Sequence, residues 1–287
     1  ADHIRYSAKV SLFPEKDNII HTASITRGKR KVNPDTDLFK FIATRVTNRE
    51  RFLRTRLTRD QKKALEGVPR ELGFDADIAL VEERSSIQVL ARRAVVQISL
   101  FFTNKRLHNE FFSTIRWSQK AVNTTRDGLD STLLGISFIN RIGSFFLLRS
   151  WIYSKIVSFF GMKLLVTYLE SLRYSHTGAY CGIILPHGAD TDWINAGRIL
   201  ERLWLTATRE GLSVQPAYAT HLLKMSGDTD ASFFSEEQQN LLNTSVIEIE
   251  RIFNVGRSEK LVFVFRVGVC KDTPHRSLGK DPGIVFV

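Results

Sequence analysis

Residues 180–185 form a near-continuous apolar run of strand length, and Pro186-His187-Gly188 stops it at once. A strand with no polar alternate has no face to give to water, so it reads as a buried strand that other elements cover. Residues 193–210 then make a strongly apolar helix carrying Ile194, Ile199, Leu200, Leu203, Trp204 and Ala207, closed by Gly211 and followed by a short strand at 212–215. Further helices are expected at 236–253, around Leu107, Phe111, Phe112 and Ile115, and from Ser85 onward with Ile87, Leu90, Ala91, Ala94, Val95 and Ile98 on its buried face. Strands are expected at 7–12, 19–26, 76–82 and 261–269, the first two joined by a turn at Pro14 and Asp17-Asn18. With no internal repeat or low-complexity linker, the sum is a single α+β domain over 1–287, one mixed or antiparallel sheet flanked by helices.

Charge is unevenly placed on that frame. Residues 27–63 carry 13 Lys/Arg against Asp35, Asp37, Glu50 and Asp60, a surplus of nine within a chain whose formal net charge is +11. Such a field attracts phosphate, nucleic acid or an anionic membrane surface. Its aromatics do not favour nucleic acid, because Phe39 and Phe41 lie where Leu38 and Ile42 mark core positions. Asp37 can cap a short helix over Leu38, Phe41 and Ile42, and Thr58-Arg59-Asp60-Gln61 is a capping-box pattern for the next. The loop between is pinned at both ends and contains Arg45-Val46-Thr47-Asn48-Arg49. Two guanidinium forks flanking a hydroxyl at alternate positions suit a phosphate and a neighbouring polyol.

At 43% hydrophobic and 25% charged the composition is ordinary for a globular protein. Cys181 and Cys270 supply neither a disulfide framework nor a four-ligand metal set, so a reducing, cytoplasmic setting is expected. Ala1-Asp2-His3-Ile4-Arg5 lacks the apolar core of a signal peptide and looks like the middle of a domain, so an N-terminally incomplete chain is expected. Residues 1–37 read as N-terminal strands and a basic loop. Residues 135–170 read as a basic amphipathic helical cover with possible breaks at Gly143 and Gly161. Arg141, Arg149, Lys155 and Lys163 interrupt it short of the ~18 uncharged residues a membrane span needs, and fall within roughly 120° of arc on a continuous helix.

Catalytic motifs return little. HExxH, CxxC, GxSxG and GxGxxG are missing, and the seven histidines show no ligand spacing, so no metal site and no catalytic residue is named. His187-Gly188-Ala189-Asp190-Thr191-Asp192 reads as a polar turn capping the following helix.

Residues 44–65 resemble the opening signature of the flavin-dependent nitroreductase family, whose R-x-[S/T]-x-[R/K] loop contacts the ribityl chain and phosphate of FMN. The stretch 194–217 is similar to the family's central helix and following strand, which ends where main chain passes the flavin ring. Phe265-Arg266-Val267-Gly268-Val269 and Pro274-His275-Arg276-Ser277 look like its last strand and a second phosphate-contacting basic pair, with Leu278 where the second cation is expected and Lys280 as the next basic residue. Thr125-Arg126-Asp127-Gly128-Leu129 resembles the divergent branch sometimes fused behind a ubiquitin-activating-like adenylating domain. The branch's Ala-Pro-Ser…Asn-x-Gln-Pro-Trp segment is lacking; Gln215-Pro216 is the only Gln-Pro. The resemblance implies FMN held by Arg45, Thr47, Arg49, Arg276 and Lys280, with Gln215 and Pro216 against the flavin. It also implies NAD(P)H as co-substrate, a small electron-poor acceptor, and a homodimer or upstream domain completing the site. A non-catalytic binding or accessory module with an impaired flavin site stands beside it as the alternative.

Overall fold

The computed structural model describes residues 6–12, 23–30, 38–134, 138–186 and 190–270. The first two strands, β1 (Tyr6–Leu12) and β2 (Ala23–Arg30), pair antiparallel as a hairpin apart from the main sheet. The second lies later than the expected 19–26, and Pro14 and Asp17-Asn18 lie outside the described residues. Asp37 is also outside them. The short helix expected after it is a 3-10 turn, Phe39–Phe41, in which Leu38 is buried and Ile42 exposed, so the three apolar residues do not share one buried face.

Thr58 caps α1 (Arg59–Glu66) with the expected capping box: Gln61 N donates to Thr58 Oγ1 at 3.2 Å and Thr58 N to Gln61 Oε1 at 2.9 Å. After α2 (Val68–Leu72) and β3 (Asp77–Val81), the long helix expected from Ser85 is split into α3 (Arg84–Ala94) and α4 (Val96–Phe101). Its cap is Glu83, whose carboxylate accepts from Ser85 N at 2.9 Å and Ser86 N at 2.6 Å. The break falls at Val95, within the β-branched pair Val95-Val96, where stiff side chains weaken the helix while both stay buried. Next come α5 (Lys105–Thr114), α6 (Gln119–Thr125), and the two-residue parallel strands β4 (Ile115–Arg116) and β5 (Leu129–Asp130).

Residues 138–175 form three helices: α7 (Phe138–Arg149), α8 (Trp151–Phe159) and α9 (Met162–Ser175). The breaks are at Ser150, which caps α8, and at Gly161 with φ +89°; Gly143 lies inside α7. Then follow β6 (Ala179–Leu185), α10 (Asp190–Arg209), β7 (Ser213–Pro216), α11 (Ala219–Thr229), α12 (Glu236–Ile252) and β8 (Lys260–Gly268). His187 to Ala189 lie outside the described residues.

The main sheet has the order β3-β6-β8-β7 and is antiparallel throughout, with helices on both faces. All seven residues of β6 are buried. Ala179, Cys181, Ile183 and Leu185 pack in one cluster with Ile199, Leu203 and Ala207 of α10; Tyr180 and Ile184 pack in another with Ile87, Leu90 and Ile249. A bulge in β8 sets its two faces: Ile183 pairs with Phe263 but Ile184 with Leu261, leaving Val262 unpaired. Val262 therefore joins Phe265 and Val267 on the α10 side, while Leu261 and Val264 face the other way.

Candidate functional site

The loop after the 3-10 turn is fixed along its length by the sheet. Thr47 makes an isolated parallel bridge with Val214, Asn48 N donates to Val214 O at 3.0 Å, and Asn48 Nδ2 donates to Ser213 Oγ at 3.1 Å. Further on, Leu53 N donates to Val269 O at 2.8 Å, so the same loop passes from β7 to the end of β8. Arg45, Thr47 and Arg49 are thus brought against the strand that holds Gln215 and Pro216.

The two guanidinium groups go to different elements. Arg45 lies over the Trp204 ring, 4.5 Å from its centroid, with Nε 3.4 Å from Glu201 Oε1. That is ion-pair distance without hydrogen-bond alignment, and Arg45 Nε is buried with no hydrogen-bond partner among the described residues. Arg49 reaches the carbonyl of Leu133 through Nη1 at a long 3.5 Å. Burial pushes its pKa down, the Tyr174 hydroxyl opposes this, and Arg173 adds to the depression. Arg276 and Lys280 lie outside the described residues.

The centre of this region is a residue the motif search passed over. Arg266, near the C-terminal end of β8, is fully buried. Its Nε donates to Gln215 Oε1 at 2.6 Å, Nη1 to the carbonyls of Arg173 (3.2 Å) and His176 (3.1 Å), and Nη2 to that of Glu50 (2.5 Å). Its planar face lies 4.0 Å from the Phe52 ring centroid and 5.1 Å from that of Tyr174. Burial lowers its pKa to about 10, with Tyr180 and Tyr174 resisting, so it stays ionised at neutral pH. Gln215 Nε2 donates onward to Tyr174 Oη at 2.9 Å. The Gln215 side chain is therefore buried and engaged at both ends, while Pro216 beside it is half-buried. The signal in the sequence was the lone charge inside the apolar run 261–269.

More cations surround this core. Arg51 Nη2 lies 2.6 Å from His176 Nε2, and since arginine only donates, that nitrogen accepts. Burial first, then Arg51, Arg54, Arg84 and Arg266, push His176 down to about 4, so its ring is neutral. Arg84 donates to the Thr177 carbonyl at 2.9 Å and to that of Arg54. Glu170 pairs with Arg173, whereas Arg49, Arg51, Arg54, Arg84 and Arg266 form no ion pair among the described residues. A partly dry group of guanidiniums in charge surplus favours an anion. Among the described residues no group of three His, Cys, Asp or Glu could hold a metal ion.

No family model and no curated protein sequence matches the chain. Solved structures do. An iodotyrosine deiodinase bound to FMN and 3-iodo-L-tyrosine is similar at 12% identity over 87% of this chain and 97% of that one, with a TM-score of 0.48. A nitroreductase with bound FMN from Desulfitobacterium hafniense DCB-2 is similar at 11% identity over 88% and 98%, TM-score 0.47. Another with bound FMN, from Bacteroides fragilis NCTC 9343, gives 12% identity over 87% and 98%, TM-score 0.44. These are likenesses of chain trace and assign no residue a role here.

Proposed function

We propose that the chain is a flavin oxidoreductase of nitroreductase type, passing hydride and electrons from NAD(P)H through FMN to a small electron-poor acceptor. The observation that carries the reading is the charge surplus beside the loop that β7 pins. The donor set fits a phosphate: Arg49 is half-buried with one long carbonyl contact, Arg45 Nε is buried without a hydrogen-bond partner among the described residues, and Thr47 stands between them. Arg276 and Lys280 belong to the same proposal. The Gln215 main chain and Pro216 would line the flavin, and bound FMN would supply the redox chemistry. Arg266 serves as a positioning residue, tying β7, the Glu50 carbonyl and the end of α9 to one rigid fork. One domain over 1–287, a homodimer or upstream domain completing the site, and a cytoplasmic location go with this reading.

A second reading has its own support. Arg45 is already engaged by Glu201 and Trp204, and the Gln215 amide is closed off, as expected of a nitroreductase-fold binding or accessory module without flavin chemistry. FMN fluorescence titrated with purified chain separates the two. Quenching by the wild type that is lost in Arg45→Ala/Arg49→Ala supports the oxidoreductase; a colourless chain that leaves FMN fluorescence unchanged supports the accessory module.

A further inference from the structure

The helices α8 and α9 carry their apolar side chains outward. In α8, Ile152 is 70% and Ile156 52% exposed, while Ser154 is 0% exposed. In α9, Leu164, Leu165, Tyr168 and Leu169 are exposed and Ser171, Tyr174 and Ser175 are buried. The axes meet at 86° across Phe160 and Gly161, and the corner is the most exposed apolar point described: Phe159 at 87% and Phe160 at 80%, edge to face at 5.5 Å. Ile152, Ile156 and the two phenylalanines line, with Trp151 and Lys155, an open cleft of about 500 Å³. Single exposed apolar residues are ordinary on a protein surface; a contiguous set of this kind marks a binding face.

The charges around it indicate what binds. Lys155 and Lys163 stand four residues either side of Phe159, Arg149 ends α7, and the sequence holds no Asp or Glu from Ser131 to Leu169. Aromatic and aliphatic side chains at the tip with cations at their flanks match the boundary between acyl chains and anionic headgroups. A second copy docked symmetrically on this face would bring the same cations and no carboxylate of the segment 131–169 to meet them. No single helix among the described residues is long and apolar enough to cross a membrane, and the α8–α9 pair that passes by composition is bent. At ~1.5 Å per residue, α8 reaches about half of a ~30 Å hydrocarbon core.

We propose that the α8–α9 corner docks the protein onto an anionic lipid surface, with Phe159 and Phe160 entering the interface and Lys155 and Lys163 meeting the headgroups. The test is co-sedimentation of the whole chain with vesicles of equimolar phosphatidylcholine and phosphatidylglycerol, beside vesicles of phosphatidylcholine alone. Binding to the anionic vesicles only is expected, weakening with salt. Phe159→Ser/Phe160→Ser should lose more than about tenfold in partitioning, and Lys155→Glu/Lys163→Glu at least about fivefold per lysine, both with unchanged far-UV circular dichroism. Three results overturn the proposal. One is no binding, or equal binding to both vesicles. Another is binding insensitive to both variants, which would move the contact to the basic segment 27–63. The last is a wild-type dimer that Phe159→Ser/Phe160→Ser converts to monomer without any vesicle binding, which would give the face to a second copy.

Discussion

Arg266 and the α8–α9 corner break the same rule in opposite directions. One puts a buried charge within an apolar strand; the other puts phenylalanines in water and serines inside. Arg266 is compensated within the chain: three carbonyls and a side-chain amide accept its protons, and two rings cover its face. At the corner no described element covers Phe159 or Phe160. A compensated inversion is a positioning device, since each bond fixes a different segment around one rigid group. An uncompensated one points to something outside the chain.

The sharpest way to break this comparison is to remove the compensated charge. Arg266→Met leaves Gln215 Oε1 and the carbonyls of Glu50, Arg173 and His176 without their donor inside the protein, and should cost about 3–5 kcal/mol. Urea unfolding measures it. An unchanged or higher midpoint would mean that desolvating the guanidinium outweighs its bonds, and that Arg266 organises nothing.

His221 is a core group without compensation, and acid should reveal it. Neither ring nitrogen has a hydrogen-bond partner among the described residues, the ring stacks on Tyr218 at 4.5 Å, and burial, helped by Lys224, pushes its pKa down to about 4 from an ordinary 6.5. The unfolded chain takes up this proton before the folded one does. Its contribution is therefore intact above pH 6.5, falls as pH drops below that, and levels off near 4. The expected loss is roughly 2–3 kcal/mol. His176, with a similar depression, adds a smaller share because it is more exposed. Carboxylates titrate in the same range, so the quantity to read is the difference between wild type and His221→Leu. Parallel stability curves for the two from pH 4 to 7 would show that His221 is not held neutral by the fold.

What was legible in the sequence follows from where information is local. The apolar run at 180–185, the Thr58 capping box and the close of α10 at Gly211 are set by neighbours a few residues apart, and they stand as expected. The pairing of Thr47 with Val214 and of Gln215 with Arg266 spans long stretches of chain, and no spacing rule encodes it. For the site, the alternation of Arg45, Thr47 and Arg49 was visible, but not that Arg45 turns to Trp204 while Arg49 reaches the Leu133 carbonyl. Periodicity also misleads at 138–175. It shows that an amphipathic face exists, and the side that faces the core depends on packing. In α9, which packs on α3 and α4, Ser171, Tyr174 and Ser175 are buried and the leucines are left outside.

That assignment of inside and outside can be tested two residues apart on one helix. Ser154→Leu places a branched side chain where the serine is fully buried, and overpacking there should cost about 1–3 kcal/mol in thermal or urea unfolding. Ile152→Ser removes an apolar side chain that is 70% exposed, so the same measurement should move by no more than about 0.5 kcal/mol in either direction. The order is the reverse of what a helix with its apolar face on the core would give. If Ile152→Ser proves the more destabilising of the two, Ile152 is buried in the protein as it exists in solution, and the outward face is covered by its own chain or by a second copy rather than left open for another surface.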